Sequence, residues 1–130
     1  MLLTFKIKHN RDFSDELKKA RLVAEFAIAN RDELSSKYVK HIGLKSTIAS
    51  QIQQKYGNDK KCISVKRVNL IVPGQGCRFN KPDKTLWISS LKLLLRCWFD
   101  VSKAIKVNQV ELNHRFAFVT VTVTEETKKD

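Results

Sequence analysis

The spacing of hydrophobic residues limits the fold of this chain more than any other feature. The segment LLTFKIKHN near the N-terminus alternates apolar and polar side chains, which is typical of a half-buried strand. From Ser14 to Gly57 the apolar residues recur every three or four positions, the period of a helix. From residue 62 onward the period returns to two, in short runs separated by turn residues. The pattern therefore predicts one strand, a helical block and then several strands.

The first strand has no strand beside it in the first half of the chain, so its partners must come from the second half. We expect an α+β fold in which residues 2–9 and 62–124 form a small antiparallel β-barrel resembling oligonucleotide-binding folds. Residues 12–57 then form a helical lobe with a helical hairpin, inserted after the first strand. With 130 residues, a single domain over residues 1–130 is the expected organisation.

The first predicted helix begins at Ser14 and runs to about Asn30, with acidic residues in its first turn. Most of its apolar side chains form one broad stripe, and a second apolar patch is formed by Leu22, Phe26 and Ala29. Apolar groups on two sides predict a helix that is sandwiched between a sheet and another helix.

Two further helices are predicted in close succession. SSKYVKHIG is typical of a short helix that is capped by Ser35 or Ser36 and ends at Gly43, and LKSTIASQIQQKYG forms a longer helix directly after it. Short helix, glycine turn and longer helix is the layout of a helix-turn-helix. Two interpretations stay open, a helix that presents its outer face to nucleic acid and a purely structural hairpin.

The longer helix has an ordinary core stripe but an unusual outer face. Its apolar stripe consists of Leu44, Ile48, Ala49, Ile52 and Tyr56. A basic protein would be expected to cover a surface helix with Lys and Glu, yet the outward positions here are hydroxyls and amides: Ser46, Thr47, Ser50, Gln53 and Gln54. The basic residues Lys45 and Lys55 lie beside them.

The second half of the chain is predicted to form a series of strands. ISVKRVNLIV is a predicted strand with a bulge between Val65 and Val68, and CRFNKPDKTLWIS is a predicted hairpin turning at residues 80–83. LKLLLRCWF is a predicted strand that is buried on much of both faces. The last hairpin turns at residues 113–114, and the residues facing one way in its second strand are Ala117, Val119, Val121 and Val123.

The net charge of +12 and the pI near 9.9 indicate a polyanionic partner, and nucleic acid is the commonest one in the cytosol. The alternative is a basic surface that only keeps the protein soluble or is adapted to an acidic membrane. Four basic residues at the junction of helical block and barrel, Lys60, Lys61, Lys66 and Arg67, could follow a phosphate backbone. The alternative for these residues is ordinary surface solvation. No apolar run approaches the ~20 residues of a membrane span, so we expect a cytoplasmic protein without a membrane partner.

The sequence offers little chemistry for catalysis or metal binding. Three cysteines, Cys62, Cys77 and Cys97, are odd in number and form no C-x-x-C pair, and the three histidines are isolated. We therefore expect no metal, no cofactor and no enzymatic activity. Three aromatic residues of the strands, Phe79, Trp87 and Trp98, could either stack on unpaired bases or belong to the core.

Four passages, LLTFKIKHN, LKSTIASQIQQKYG, VNLIVPGQG and KVNQVELNHRFAFVTVTV, resemble the N-terminal part of TnpB or OrfB proteins, which are transposon-encoded RNA-guided nucleases. In that family the strands form a wedge-type barrel and the inserted helices form a recognition lobe; the two grip guide RNA and inspect target DNA. The resemblance implies that the outer face of the longer helix contacts base edges, through Ser46, Thr47, Ser50, Gln53 and Gln54, with Lys45 and Lys55 on phosphates.

The family's nuclease domain and zinc ribbon would follow where this sequence ends, so the resemblance implies that the chain does not cut nucleic acid on its own. The expected function is a non-enzymatic module that binds RNA or DNA. Two alternatives remain. One is a protein-interaction module, an inhibitor or accessory that mimics the lobe, and the other is a helix-turn-helix regulator that binds DNA as a dimer.

Overall fold

The fold consists of two antiparallel sheets and a helical segment between the first and second strands. The structure is a computed structural model that describes residues 1–98 and 104–123. The helices are α1 (Ser14–Ala29) and α2 (Ser46–Gly57), with a 3₁₀ helix at Ser36–Ile42 between them. The strands are β1 (Leu2–Lys8), β2 (Leu70–Pro73), β3 (Cys77–Asn80), β4 (Thr85–Ile88), β5 (Leu93–Arg96), β6 (Ala104–Leu112) and β7 (Phe116–Val123).

The strands form one four-stranded sheet, in the order β1-β7-β6-β2, and one three-stranded sheet, in the order β3-β4-β5. Neighbouring strands in both sheets are antiparallel. The α+β class predicted from the sequence is confirmed. The prediction of a closed barrel is wrong, because within the described ranges neither sheet closes on itself.

The short strand β2 forms one edge of the four-stranded sheet, and the chain leaves the sheet directly after it. It contains four residues and ends at Pro73, which has no N–H with which to continue a ladder. The chain then turns through the 3₁₀ turn Gly74–Gly76 and enters the second sheet. Residues 63–69, predicted as the first part of this strand, form no strand, and Ile63 is 84% exposed. The predicted bulge between Val65 and Val68 is therefore absent from this part of the described chain.

The pairing of β1 with β7 joins the two ends of the described chain. The register runs from Leu2 opposite Thr122 to Lys8 opposite Phe116. This pairing supplies the sheet partner that the alternation of the first strand requires. The four residues predicted to share one face of β7 are all buried: Ala117, Val119, Val121 and Val123. The last predicted hairpin is confirmed as β6 and β7, except for residue 124, which lies outside the described residues.

Helix α1 buries one face, against α2 and β2. The predicted second buried patch is wrong in part, because Leu22 is 52% exposed and Ala29 is exposed, whereas Phe26 packs against the core. The start of α1 is held by Asp12, whose Oδ1 accepts hydrogen bonds from the Oγ of Ser14 at 2.7 Å and from its backbone N at 2.9 Å. These bonds, the hydroxyl first, hold the pKa of the Asp12 carboxyl below its usual value.

Helix α2 is the central element of the helical segment, since it packs against α1, β2 and the 3₁₀ helix. Its predicted stripe is confirmed: Ile48, Ala49 and Ile52 are buried, and Leu44 and Tyr56 pack against the core from the edge. The predicted short helix before it is a 3₁₀ helix that ends at Gly43, with a φ of 88°. The layout therefore matches a helix-turn-helix in order, but its first element is not an α-helix.

The hairpin predicted around residues 80–83 is confirmed as β3 and β4. The next predicted strand is shorter than expected, because β5 covers residues 93–96, and residue 99 lies outside the described residues. Its predicted burial on both faces is wrong, since Leu94 is 55% exposed and Arg96 is exposed. The helices and both sheets share one hydrophobic core. None of the helices in the described part of the chain is long and apolar enough to cross a membrane.

Candidate nucleic-acid interface

The exposed side of α2 carries most of the predicted polar face. Lys45, Ser46, Thr47 and Gln54 are exposed, and Ser50 is half-buried. Gln54 Nε2 donates a hydrogen bond to the Oγ of Ser50 at 3.4 Å, one helical turn away. These groups stay accessible because α1, β2 and the 3₁₀ helix cover the other sides of α2.

Gln53 does not belong to this face, and its predicted outward position is wrong. The side chain is 0% exposed, and its Nε2 donates hydrogen bonds to the backbone oxygens of Glu33 at 3.3 Å and Ser35 at 3.1 Å. Gln53 Oε1 is buried without a hydrogen-bond partner. Gln53 therefore fastens α2 to the segment between α1 and the 3₁₀ helix. The helical period alone could not show that this segment covers a second side of α2.

Lys55, predicted as a phosphate contact, already has a carboxylate partner. Its Nζ lies 3.0 Å from Oε1 of Glu111 on β6. Partial burial lowers the pKa of Lys55, but the hydrogen bond to Glu111 and the negative charge of that residue outweigh burial, and the pKa stands above its ordinary value. Lys55 joins α2 to the sheet, and its charge is compensated within the protein.

The four predicted cations lie on the segment that connects α2 to β2, residues 58–69, which we call the basic loop. Lys60, Lys61, Lys66 and Arg67 are all exposed on it. Within the described part of the chain only two ion pairs form, Arg21 with Glu25 and Lys55 with Glu111. None of the four basic-loop cations therefore forms an ion pair with a described carboxylate, although Asp59 lies in the same loop.

Arg31, which was not predicted from the sequence as a functional residue, holds the start of the basic loop in place. The guanidinium of Arg31 donates hydrogen bonds to four backbone oxygens, those of Tyr56 at 3.2 Å, Gly57 at 2.8 Å, Asp59 at 3.0 Å and Cys62 at 2.6 Å. The first two oxygens belong to the last turn of α2, where a cation is also favoured by the helix dipole. No local pattern marks Arg31, because its partners are 25 to 31 residues further along the chain.

The end of the basic loop lines a groove of about 560 Å³ beside the N-terminal half of α1. We call it the basic groove; its charged lining residues are Asp12, Lys18, Arg21, Lys66 and Arg67. Four cations thus face one carboxylate, although Arg21 also pairs with Glu25 at 3.3 Å. The polar side chains of Asn69, Asn113 and His114 complete one wall. An anion in this groove would meet cations from both α1 and the basic loop.

A second groove, of about 680 Å³, lies between β6, the Gly74–Gly76 turn and β3. We call it the amide groove because its lining includes Gln51, Gln75, Asn108 and Gln109. It shares Gln51 and Gln109 with a smaller hollow that is also lined by Gln54, so it continues onto the exposed face of α2. None of these four residues of the amide groove was predicted from the sequence as part of a site. The adjacent amides of Asn108 and Gln109, between the apolar residues Val107 and Val110 of β6, were the available signal.

The amide groove depends on an irregularity of β6 and on a close backbone approach. The pairing of β6 with β7 shifts register between Val107 and Gln109, and the side chain of Asn108 exchanges hydrogen bonds with the Oγ1 of Thr122 at 2.9 and 3.2 Å. A Cβ atom at Gly74 would overlap the carbonyl oxygen of Val107 and lie 2.9 Å from that of Asn108. Only glycine allows the turn to approach the bulged strand this closely.

The three aromatic residues that could stack on bases occupy different environments. Phe79 is partly buried and packs against the core. Trp98 is exposed, but its Nε1 donates a hydrogen bond to the backbone oxygen of Lys6 at 2.9 Å and its ring meets that of Phe5 edge-on. Trp87 is 41% exposed on the outer side of β4. Of the two interpretations, a place in the core therefore fits Phe79, and exposure for stacking on a base fits Trp87.

Burial raises the pKa of two thiols, Cys77 and Cys97, to about 11, and we call them the shielded thiols. All three cysteines are free, and no group of three or more His, Cys, Asp or Glu side chains in residues 1–98 and 104–123 could hold a metal ion.

Comparison of the sequence with protein-family models and with curated proteins found no match.

Proposed function

We propose that this chain is a nucleic-acid-binding module that has no catalytic activity of its own. In this proposal the basic loop and the basic groove contact phosphates, and the exposed face of α2 and the amide groove contact bases or sugars. Such a ligand is of the class that the resemblance to TnpB-type proteins implies, a guide RNA or its target DNA.

One observation carries the proposal. Lys60, Lys61, Lys66 and Arg67 are exposed and have no carboxylate partner among the described residues, and the last two join Lys18 and Arg21 in one groove. Cations that converge from separate elements attract a polyanion more strongly than the same charges dispersed over a surface. The amides beside α2 add donors and acceptors that suit base edges or sugars.

The test is the salt dependence of binding to RNA and DNA. Replacing the four basic-loop cations with Gln should weaken binding to all sequences alike. It should also reduce the slope of log K against log salt by about 0.7 to 0.9 for each phosphate that the variant no longer neutralises. A matched control removes four other exposed charges by substituting Gln for Lys6, Lys8, Lys37 and Lys40.

The Ser50→Ala/Gln54→Ala double variant should leave the slope unchanged, because neutral groups release no counterions. If the control variant reduces the slope as much as the basic-loop variant does, the charges act as a general field and the proposed location is wrong. If the wild-type protein shows no salt-sensitive binding to either nucleic acid, the proposed function is wrong and a protein partner becomes the better explanation.

A further inference from the structure

The outer face of the three-stranded sheet presents an exposed tryptophan between basic residues. Strand pairing places Trp87 of β4 opposite Arg78 of β3 and opposite Leu94 of β5. Arg96 lies two residues beyond Leu94 on β5 and therefore on the same face, opposite Thr85. Arg78, Leu94 and Arg96 are exposed like Trp87, so the four side chains form one accessible patch.

The core does not account for the position of Trp87. Alternation along the strands sends the side chains on the other face into the core, where Leu86, Ile88, Leu93 and Leu95 are buried. The side chain of Trp87 remains 41% exposed, and its indole N–H donates no hydrogen bond to another described residue. Trp98 differs in this respect, since its indole N–H is bound to the backbone of β1.

The charged residues around Trp87 indicate which class of ligand the patch would bind. Residues 77–96 carry five basic residues, Arg78, Lys81, Lys84, Lys92 and Arg96, and one acidic residue, Asp83. Asp83 lies in the β3–β4 turn, where it accepts a hydrogen bond from Asn80 at 3.1 Å. An exposed aromatic ring within a cationic rim complements a polyanion that also offers flat apolar groups. Single-stranded nucleic acid has both properties, whereas a duplex hides the faces of its bases.

The patch is continuous with the amide groove. A hollow of about 460 Å³ beside Trp87 shares Arg78, Phe79 and Lys81 with that groove. A second, smaller hollow is lined by both Arg78 and Trp87 and reaches the Gly74–Gly76 turn. A strand that follows the amide groove away from α2 would therefore arrive at Trp87.

We infer that Trp87 stacks on an unpaired base of single-stranded RNA or DNA, while Arg78 and Arg96 contact the flanking phosphates. This inference rests on the proposed function, which it extends to a second surface and to a single-stranded ligand. Stacking accepts any base, so the patch contributes affinity without sequence preference.

The two tryptophans allow a direct optical test. In the Trp98→Phe variant, indole fluorescence reports Trp87 alone, and oligo(U) or oligo(dT) of about 12 nucleotides should quench it, because this length fits the site sizes of single-strand-binding folds. In the Trp87→Phe variant the same oligonucleotides should leave the fluorescence of Trp98 nearly unchanged. A duplex of the same length should quench neither. Parallel titrations with the RNA and the DNA oligonucleotide identify which of the two binds.

Affinity measured by fluorescence polarisation of a labelled oligonucleotide gives a second readout that does not need the Trp98→Phe background. Trp87→Ala should weaken single-strand binding about 5- to 150-fold, the equivalent of one stacked base, and leave the salt slope unchanged. Trp87→Phe should retain most of the affinity. Arg96→Gln should reduce the slope by about 0.7. The control is Tyr38→Ala, which removes an exposed aromatic residue on the 3₁₀ helix and should have no effect.

The outcomes separate this inference from the proposed function. If Trp87→Ala binds single strands as tightly as the wild type, or if the wild type binds duplexes alone, the inference is wrong. The proposed function then still stands, provided that the basic-loop variant shows the reduced salt slope. If the wild type binds no nucleic acid at all, both are wrong.

Discussion

Replacing Arg31 with Gln should destabilise the whole protein, although Arg31 is neither in the core nor in either groove. Its guanidinium bonds to four backbone oxygens at 2.6 to 3.2 Å. A hydrogen bond to a charged group contributes about 1.5 to 3 kcal/mol when it is well shielded. Arg31 is half-buried and its bond to Asp59 is exposed, so water will replace part of this stabilisation. We therefore expect the free energy of unfolding to fall by about 3 kcal/mol and Tm to fall by roughly 10 °C.

The matched control is Arg67→Gln, which removes the same charge from an exposed position that makes no hydrogen bond to a described residue. Its free energy of unfolding should stay within about 0.5 kcal/mol of the wild-type value. The free energy of unfolding of Arg31→Lys should lie between the values of the two other variants, because an ammonium keeps the charge but cannot reach all four oxygens. Urea titration followed by circular dichroism gives the three values. If Arg31→Gln is as stable as Arg67→Gln, Arg31 does not hold the loop.

Three further predictions concern packing, polar burial and ionisation. Gly74→Ala should cost about 3 kcal/mol or more, because its Cβ would overlap the backbone of Val107, whereas Gly76→Ala makes an ordinary contact and should be nearly neutral; urea midpoints compare the two. Gln53→Ala should cost about 2 to 3 kcal/mol and the neighbouring Gln54→Ala less than about 0.5, which the same titrations would show. The free energy of unfolding should fall as pH rises from about 9 to about 11, because the folded protein keeps the protons of the shielded thiols that the unfolded chain loses; iodoacetamide near pH 8.5 should label these thiols slowly until urea is added. Equal labelling rates for all three cysteines in the folded protein would contradict the last prediction.

The parts of the fold that could be predicted are those recorded in local patterns. The alternation of Ala117, Val119, Val121 and Val123 sufficed for β7, and the stripe of Ile48, Ala49 and Ile52 for α2. Each pattern states which side of an element is buried. The need of the first strand for a partner also indicated its pairing with the second half.

What could not be predicted depends on where separate elements meet. Gln53 is polar and lies one position from the exposed Gln54, yet it is buried because the segment around Glu33 and Ser35 covers it. The pairing of Lys55 with Glu111 joins residues 56 positions apart. The prediction of a barrel was wrong for a related reason. A pattern of strands in the sequence does not show which strands share a sheet. The basic residues of the candidate site could be predicted from the charge of the sequence. The two grooves could not be predicted, because residues from separate elements line each of them.

The pairing of β1 with β7 has a consequence for how the protein is made. β1 is synthesised before residues 116–123, its only sheet neighbours in the described structure, which follow more than 100 residues later. The contacts between the helices close far shorter loops, so the helices can form before β1 pairs with β7. Completion of the four-stranded sheet is therefore a late event with a large loop-closure cost, and we expect folding to be slow for a chain of this size. Until then β1 has an unpaired edge on both sides, and Lys6 and Lys8 help to keep it from pairing with other chains.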